Sequence, residues 1–284
     1  MGSTPPPRAA FLDWPIGIWW AGLNVGLKAL PHEPVLGLKR VVLPVSYWRS
    51  AEFAYACRQL HLPAGARLLD VGSPKDLPAH LAMYRGYSVT ATDILDSAIA
   101  LSQRLARARG IDGKGPGLVF SETQDGRSLP YETGSFDAAL SISVLEHIPE
   151  TGDTQAIAEL VRCVRPGGRV VVTTPFSEKY EEVFVNHSVY ERAQEQKAAV
   201  FYERHYDEAA LQERLLKVQG ARVIHLAFWG ERGLPWDHLM MQHRTIRKCL
   251  SPLEPILGAA TLREVTATSG GRRMAAFFTL EKLA

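Results

Sequence analysis

Leu68-Leu69-Asp70-Val71-Gly72-Ser73-Pro74 decides how this chain is read: an apolar run ends in an acid and a tight turn, and a helix-forming stretch follows. That order is the first half of a βα unit and sets Asp70 at the carboxyl edge of a sheet, where open α/β folds bind ligands near the strand-order reversal. About 20 residues on, the next run, Val89-Thr90-Ala91-Thr92, ends at Asp93, a carboxylate placed to accept hydrogen bonds from both hydroxyls of a ribose. A lone strand-end acid is often only a helix cap. Two acids at two strand ends point instead to an adenosine-containing cofactor.

Outward from this motif, short runs rich in Val, Leu and Ile alternate with longer helical patterns, as βα units of a parallel sheet require. Strands are expected at 66–71, 87–92, 117–122, 136–142 and 169–174, then at 221–228 and 273–280. Helical spacing fills 97–109 and 153–164, the latter stopped by Pro166-Gly167-Gly168, a turn with no direct chemical duty. Right-handed crossovers then give an open, doubly wound α/β sheet.

With 284 residues, 46% hydrophobic, the chain can bury one substantial core, so one elaborated domain is expected. The net charge of +2 supplies no basic field, which disfavours nucleic acid as a partner. Cys57, Cys163 and Cys249 are odd in number and fall outside any CxxC spacing, consistent with buried thiols in a reducing compartment. The longest uncharged apolar run, Ile16 to Leu27, falls short of the roughly 20 residues of a membrane span. Asp13 before it and no clean cleavage site after it argue against a signal peptide, so a cytoplasmic location is expected. His238 and His243, five apart, do not share a helical face, and no metal site is expected.

Residues 1–10 read as a disordered Pro-rich tail, 11–62 as a helical extension or lid, and 63–284 as the main domain, with acceptor-side inserts at 175–206 and 229–262. Three readings stand for 11–30, with Trp14, Trp19 and Trp20: a helix packed on the core, a wall of the substrate pocket, or a membrane-surface helix. A homodimer contact is a further option for it.

Further along come Ser128-Leu129-Pro130-Tyr131-Glu132-Thr133-Gly134-Ser135-Phe136-Asp137, then Val144-Leu145-Glu146-His147-Ile148, then Arg165-Pro166-Gly167-Gly168-Arg169. In motif order and spacing, roughly residues 60 to 175 resemble the class I S-adenosylmethionine-dependent methyltransferases, in particular their small-molecule, type 11-like branch. The resemblance implies a Rossmann-like, seven-stranded, mostly parallel sheet with the last strand antiparallel, an N-terminal helical extension and a helical insert before the last strand. It also implies S-adenosyl-L-methionine as cofactor. Asp70, Gly72 and Ser73 match the motif that meets its methionine part, Asp93 the ribose acid, and Ile94 the adenine-packing position. Asp125 and Gly126 match the site of the adenine amino group, Ser141 to Ser143 lie beneath the sulfonium, and Glu146 and His147 face the cleft. Asp137, which opens a strand, reads as structural.

One departure concerns the turn itself. Where the family continues with glycines, this chain has Ser73-Pro74-Lys75-Asp76, and proline brings no N–H. Ser73 can replace one contact through its hydroxyl, and Lys75 can pair with the cofactor carboxylate. The same departure supports a rival reading: a non-catalytic scaffold of this fold that has lost its cofactor. A nicotinamide-dependent reductase shares the strand and ribose acid, but GxGxxG is missing after Gly72.

For a hydroxyl acceptor a general base within about 3 Å helps, and histidine is the usual one. His147, His187 and His205 are the candidates. Aromatic density between 175 and 206 (Tyr180, Phe184, Tyr190, Phe201, Tyr202, Tyr206) suits a small, flat or apolar acceptor, although a packed helical pair would explain much of the same pattern.

Overall fold

The computed structural model describes residues 7–185, 199–233, 235–236, 239, 251–265 and 272–284. Strands β1 (Arg67–Val71), β2 (Ser88–Asp93), β3 (Val119–Thr123), β4 (Phe136–Ile142) and β5 (Val164–Pro175) form a parallel sheet in the order β3-β2-β1-β4-β5. The chain leaves β1 toward β2 and β3, then crosses back to β4, so the strand order reverses between β1 and β4. Because successive side chains in a strand point to opposite faces, Leu68 and Leu140 enter one core with Leu77 and Leu81 of α4 (Asp76–Arg85). Leu69 and Ala139 enter the other, against Ile157 and Leu160 of α6 (Gly152–Cys163). Burial on both faces is why these strands read as continuous apolar runs. Helix α5 (Asp96–Arg107) carries the chain from β2 to β3.

Past β5, β10 (Ala275–Lys282) runs antiparallel to it, and β8 (Ala221–Glu231) lies antiparallel to β10. The eighth strand, β9 (Leu262–Glu264), pairs antiparallel with the end of β8. The sheet therefore has eight strands rather than the expected seven. Three residues carry too little alternation to announce a strand in sequence.

The described residues of 175–206 form a two-stranded sheet where a helical pair was one expectation: β6 (Glu181–Val185) pairs antiparallel with β7 (Val200–His205). A short α7 (Glu208–Leu211) follows, capped by Asp207, whose side chain accepts from Ala210 N–H. Within 229–262, α8 (Glu254–Thr261) packs beside α3 (Tyr47–Gln59), and a Cβ on Gly258 would come 2.5 Å from Tyr47 O.

In the N-terminal region a 3₁₀ turn over Pro7–Asp13 begins inside the expected tail, while residues 1–6 lie outside the described residues. Helices α1 (Pro15–Ala29) and α2 (Pro34–Val42) both start on proline, whose missing N–H is no loss at a first helical position. Small residues let the two meet: a Cβ on Gly26 would come 2.7 Å from Val41 N. The inward face of α1 buries Ile18, Ala21 and Val25, while Ile16, Trp20 and Leu27 stay exposed. Among the described residues no helix is long and apolar enough to cross a membrane. Cys57 and Cys163 are buried free thiols, pushed up to about 12 and about 11 by burial, and Cys249 lies outside the described residues.

Candidate active site

A cleft of about 950 Å³ opens over the carboxyl ends of β1, β2 and β4. Its floor is the turn after β1. Gly72 sits at φ +74°, the left-handed region that favours glycine, and a Cβ there would come 2.6 Å from Val144 Cγ1. Ser73 is buried, and its hydroxyl accepts from Ile142 N–H at 3.0 Å; Ser141 Oγ donates to Val71 O at 3.0 Å. Both serines knit the end of β1 to β4, and Ser141 does not line the cleft. Asp70 is fully buried, with neither carboxylate oxygen in hydrogen-bond geometry with a partner among the described residues. Burial pushes it up to about 7, against the pull of the Lys75 ammonium and the adjacent Ser73.

Asp93, the expected ribose acid, is held on two sides. Asp93 Oδ1 accepts from Leu95 N–H at 2.9 Å, and Oδ2 pairs with Lys75 Nζ at 2.6 Å. Lys75 thus reaches Asp93 rather than standing ready for a cofactor carboxylate, because this acid is its nearest anion. Ile94, 61% exposed, lies on the rim beside it. Asp125 faces Arg127, whose Nη2 donates at 2.6 Å and whose N–H donates at 2.9 Å, and these bonds hold the carboxyl below the usual carboxylate range. Gly126 passes close over β1: a Cβ there would come 2.9 Å from Val71 Cγ1.

Residues 11–62 do reach the cleft, through α3 and not through α1. Arg49 lines it and pairs with Glu52 Oε2 at 2.5 Å. Glu52 is buried, and its Oε1 accepts from Ser143 Oγ at 2.5 Å and Thr173 Oγ1 at 3.0 Å. Ser143 needs that anchor, since it holds φ +51° without being glycine. Sequence reasoning missed Arg49 and Glu52; the available signal was an Arg–Glu pair at i,i+3 on the first half of α3.

Of the histidines, His147 lines the cleft. Its Nδ1 lies 2.8 Å from Tyr202 O, a pure acceptor, so Nδ1 carries the hydrogen and Nε2 the lone pair. Burial keeps the imidazole below its ordinary pKa, and therefore neutral at pH 7. Nε2 lies 3.8 Å from Glu203 Oε2 and 3.9 Å from Glu146 Oε1. Glu146 is buried behind the cleft, not lining it, and desolvation raises it well above the usual carboxylate range. His205 is not brought to the cleft: Nδ1 lies 3.0 Å from Glu181 and Nε2 3.0 Å from Glu203, and these carboxylates raise it. His187 and Tyr190 lie outside the described residues. Phe201 and Tyr202 line the cleft, whereas Tyr206 is buried and donates to Asp153 at 2.8 Å. Asp137 serves structure, accepting from Arg67 N–H and Arg165 Nε at 2.8 Å each. Among the described residues no group of His, Cys, Asp and Glu is placed to hold a metal ion.

Comparison with known proteins bears on this geometry. Residues 69–172 match the family model described as a methyltransferase domain. The ubiquinone biosynthesis O-methyltransferase of Xanthomonas oryzae pv. oryzae is 34% identical over 121 residues, covering 42% of this chain and 47% of that protein. Methyltransferase GfsG of Streptomyces halstedii is 30% identical over 115 residues, 40% of this chain and 39% of that one. The chain therefore spans less than half the length of these curated relatives. Among solved structures, phosphoethanolamine N-methyltransferase 2 of Haemonchus contortus, in complex with S-adenosyl-L-methionine, shares the fold at a TM-score of 0.53 and 17% identity. The alignment covers 82% of this chain and 52% of that one. Residues 69–172 therefore match a methyltransferase domain, set in a strand order that agrees with the resemblance to the class I S-adenosylmethionine-dependent methyltransferases.

Proposed function

We propose that the protein transfers the methyl group of S-adenosyl-L-methionine to a hydroxyl of a small, apolar or aromatic metabolite. The observation that carries this reading is a neutral His147, tautomer fixed, in the same cleft as Gly72 and Asp93. The residues fit the cofactor. A carboxylate offers about four acceptor sites, so Asp93 retains capacity for ribose hydroxyls beyond its bonds to Lys75 and Leu95. Asp70, buried directly before the cleft-lining Val71 and Gly72, suits the ammonium of the methionine part, and Arg49, which lines the cleft, suits its carboxylate.

When bound, the cofactor would supply a sulfonium methyl to the acceptor oxygen, with the C–S pair left on sulfur, and the hydroxyl proton would pass to the protein. His147 Nε2 takes that proton. Phe201 and Tyr202 give the acceptor an apolar wall, which excludes water and aligns the nucleophile. The aromatic and apolar lining of the cleft is the support for the acceptor class, together with the ubiquinone in the name of one relative. The buried thiols support a reducing, cytoplasmic setting.

Calorimetric titration with S-adenosylmethionine and S-adenosylhomocysteine tests the reading. Asp93→Ala is expected to weaken binding by about 1.5 to 3 kcal/mol, the range of a charge-assisted hydrogen bond. Binding of neither ligand would favour the second reading, a non-catalytic scaffold, for which Pro74 and the Lys75–Asp93 pair are the specific observations.

A proton count adds an independent check. Asp70 holds its proton up to about pH 7 in the folded protein, and a ligand ammonium beside it lowers that value. Near pH 6.5, a value between the two and just below about 7, binding should release protons. The apparent enthalpy would then vary with the ionisation heat of the buffer, and Asp70→Asn would abolish the variation.

A further inference from the structure

Among the described residues, β7 supplies two of the groups that orient His147. Tyr202 O fixes its Nδ1, and the next residue, Glu203, brings Oε2 to 3.8 Å from Nε2. The other oxygen of Glu203 meets His205 Nε2 at 3.0 Å, and His205 Nδ1 meets Glu181 Oε1 at 3.0 Å. The strand pattern produces this row. Glu203 and His205 are two apart and share one face of β7, and His205 is the cross-strand partner of Glu181. Charges alternate along it from the cleft to Glu181, which is 58% exposed. Such a row is more than a surface decoration, because its inner end is the base of the proposed reaction.

We propose that Glu203 is a positioning residue for His147: its carboxylate, aligned by His205 and Glu181, holds the imidazolium that forms when Nε2 takes the acceptor's proton. This rests on the methyl-transfer reading above. The other groups facing His147 do not supply that charge. Desolvation raises Glu146 well above the usual carboxylate range, against its bearing a charge, and Arg49 from α3 acts against the imidazolium. The Tyr202 carbonyl orients the ring without carrying a full charge. Catalytic competence is therefore tied to the hairpin being docked, since two consecutive residues of β7 complete the base.

The test is a histidine titration by NMR on the full-length protein with labelled imidazole carbons, with His147 assigned through its own variant. Glu203→Gln should lower the His147 pKa by about 1 unit, the effect of losing one opposite charge at this range. His205→Gln should lower it by less, because Glu203 keeps its charge and loses only the 3.0 Å partner that aligns it. A purely structural role would leave the value in place, and an unchanged His147 pKa in Glu203→Gln overturns the proposal. In turnover, Glu203→Gln should lower kcat with KM held, and Glu203→Asp should restore part of it. Calorimetry on the same variants separates the two ideas: loss of cofactor binding in the unmodified protein would sink the methyl-transfer reading, whereas intact binding with no titration shift would sink the role of Glu203 alone.

Discussion

His147→Ala should slow methyl transfer to a hydroxyl acceptor roughly a hundredfold or more, the contribution of a positioned general base, while affinity for S-adenosylmethionine stays nearly unchanged. The split follows from geometry: His147 lies in the cleft but belongs to neither the ribose acid nor the Gly72 turn. The pH profile of kcat/KM carries the sign. Burial holds the imidazole below the ordinary histidine value of about 6.5, so the base is already deprotonated there and the acid limb should lie below that pH. An acid limb at or above it, or wild-type turnover in the alanine variant, would leave His147 a loop-holding residue.

Asp153→Ala should cost about 3 to 5 kcal/mol, the penalty for stranding a buried charge, read as a lowered denaturant midpoint. Arg204 of β7 is fully buried, with Nη1 2.6 Å from Asp153 Oδ2. Arg214 reaches the same carboxylate at 2.7 Å, and Tyr206 donates to it at 2.8 Å. Burial pushes the Asp153 carboxyl up, but the bonds from Arg214, Arg204 and Tyr206 outweigh that and hold it below its usual range. Its stabilising effect is therefore complete above the unfolded carboxyl value of about 3.9 and is lost as pH falls through the lower folded value. Because Arg204 Nη2 also donates to Ile148 O at 2.9 Å, beside His147, the alanine variant should lose activity before it loses its fold. A denaturant midpoint equal to wild type would refute the account of this network.

The sheet was legible because its strands are buried on both faces and bounded by turn residues, so β4 falls on the expected residues and β1, β2 and β3 within two of them. Asp93 and Gly72 were legible for a related reason: each occupies a strand end, where position alone limits what a side chain can meet. The hairpin was not. Glu181 to His205 carries charges on both faces of two short strands, a pattern that periodicity does not separate from loop. The ion pair of Lys75 with Asp93 was equally invisible, since 18 residues separate the partners and only the neighbouring ends of β1 and β2 bring them together. Ser73 and Ser141 show the converse. Their motif positions gave no sign that their hydroxyls are engaged in bonds between β1 and β4.

Glu52 gives the N-terminal helices a standing that the boundaries of the methyltransferase match do not convey. One carboxylate from α3 satisfies Ser143 at the end of β4 and Thr173 on β5, two elements inside the matched domain. Engineering that exchanges this helical region between homologues to alter acceptor preference would take a buried carboxylate away from Ser143, which lines the cleft. A chimera is expected to need Glu52 and Arg49 transplanted with the recipient's β4–β5 layer, so the inheritable unit is the helix together with the two strand ends it serves.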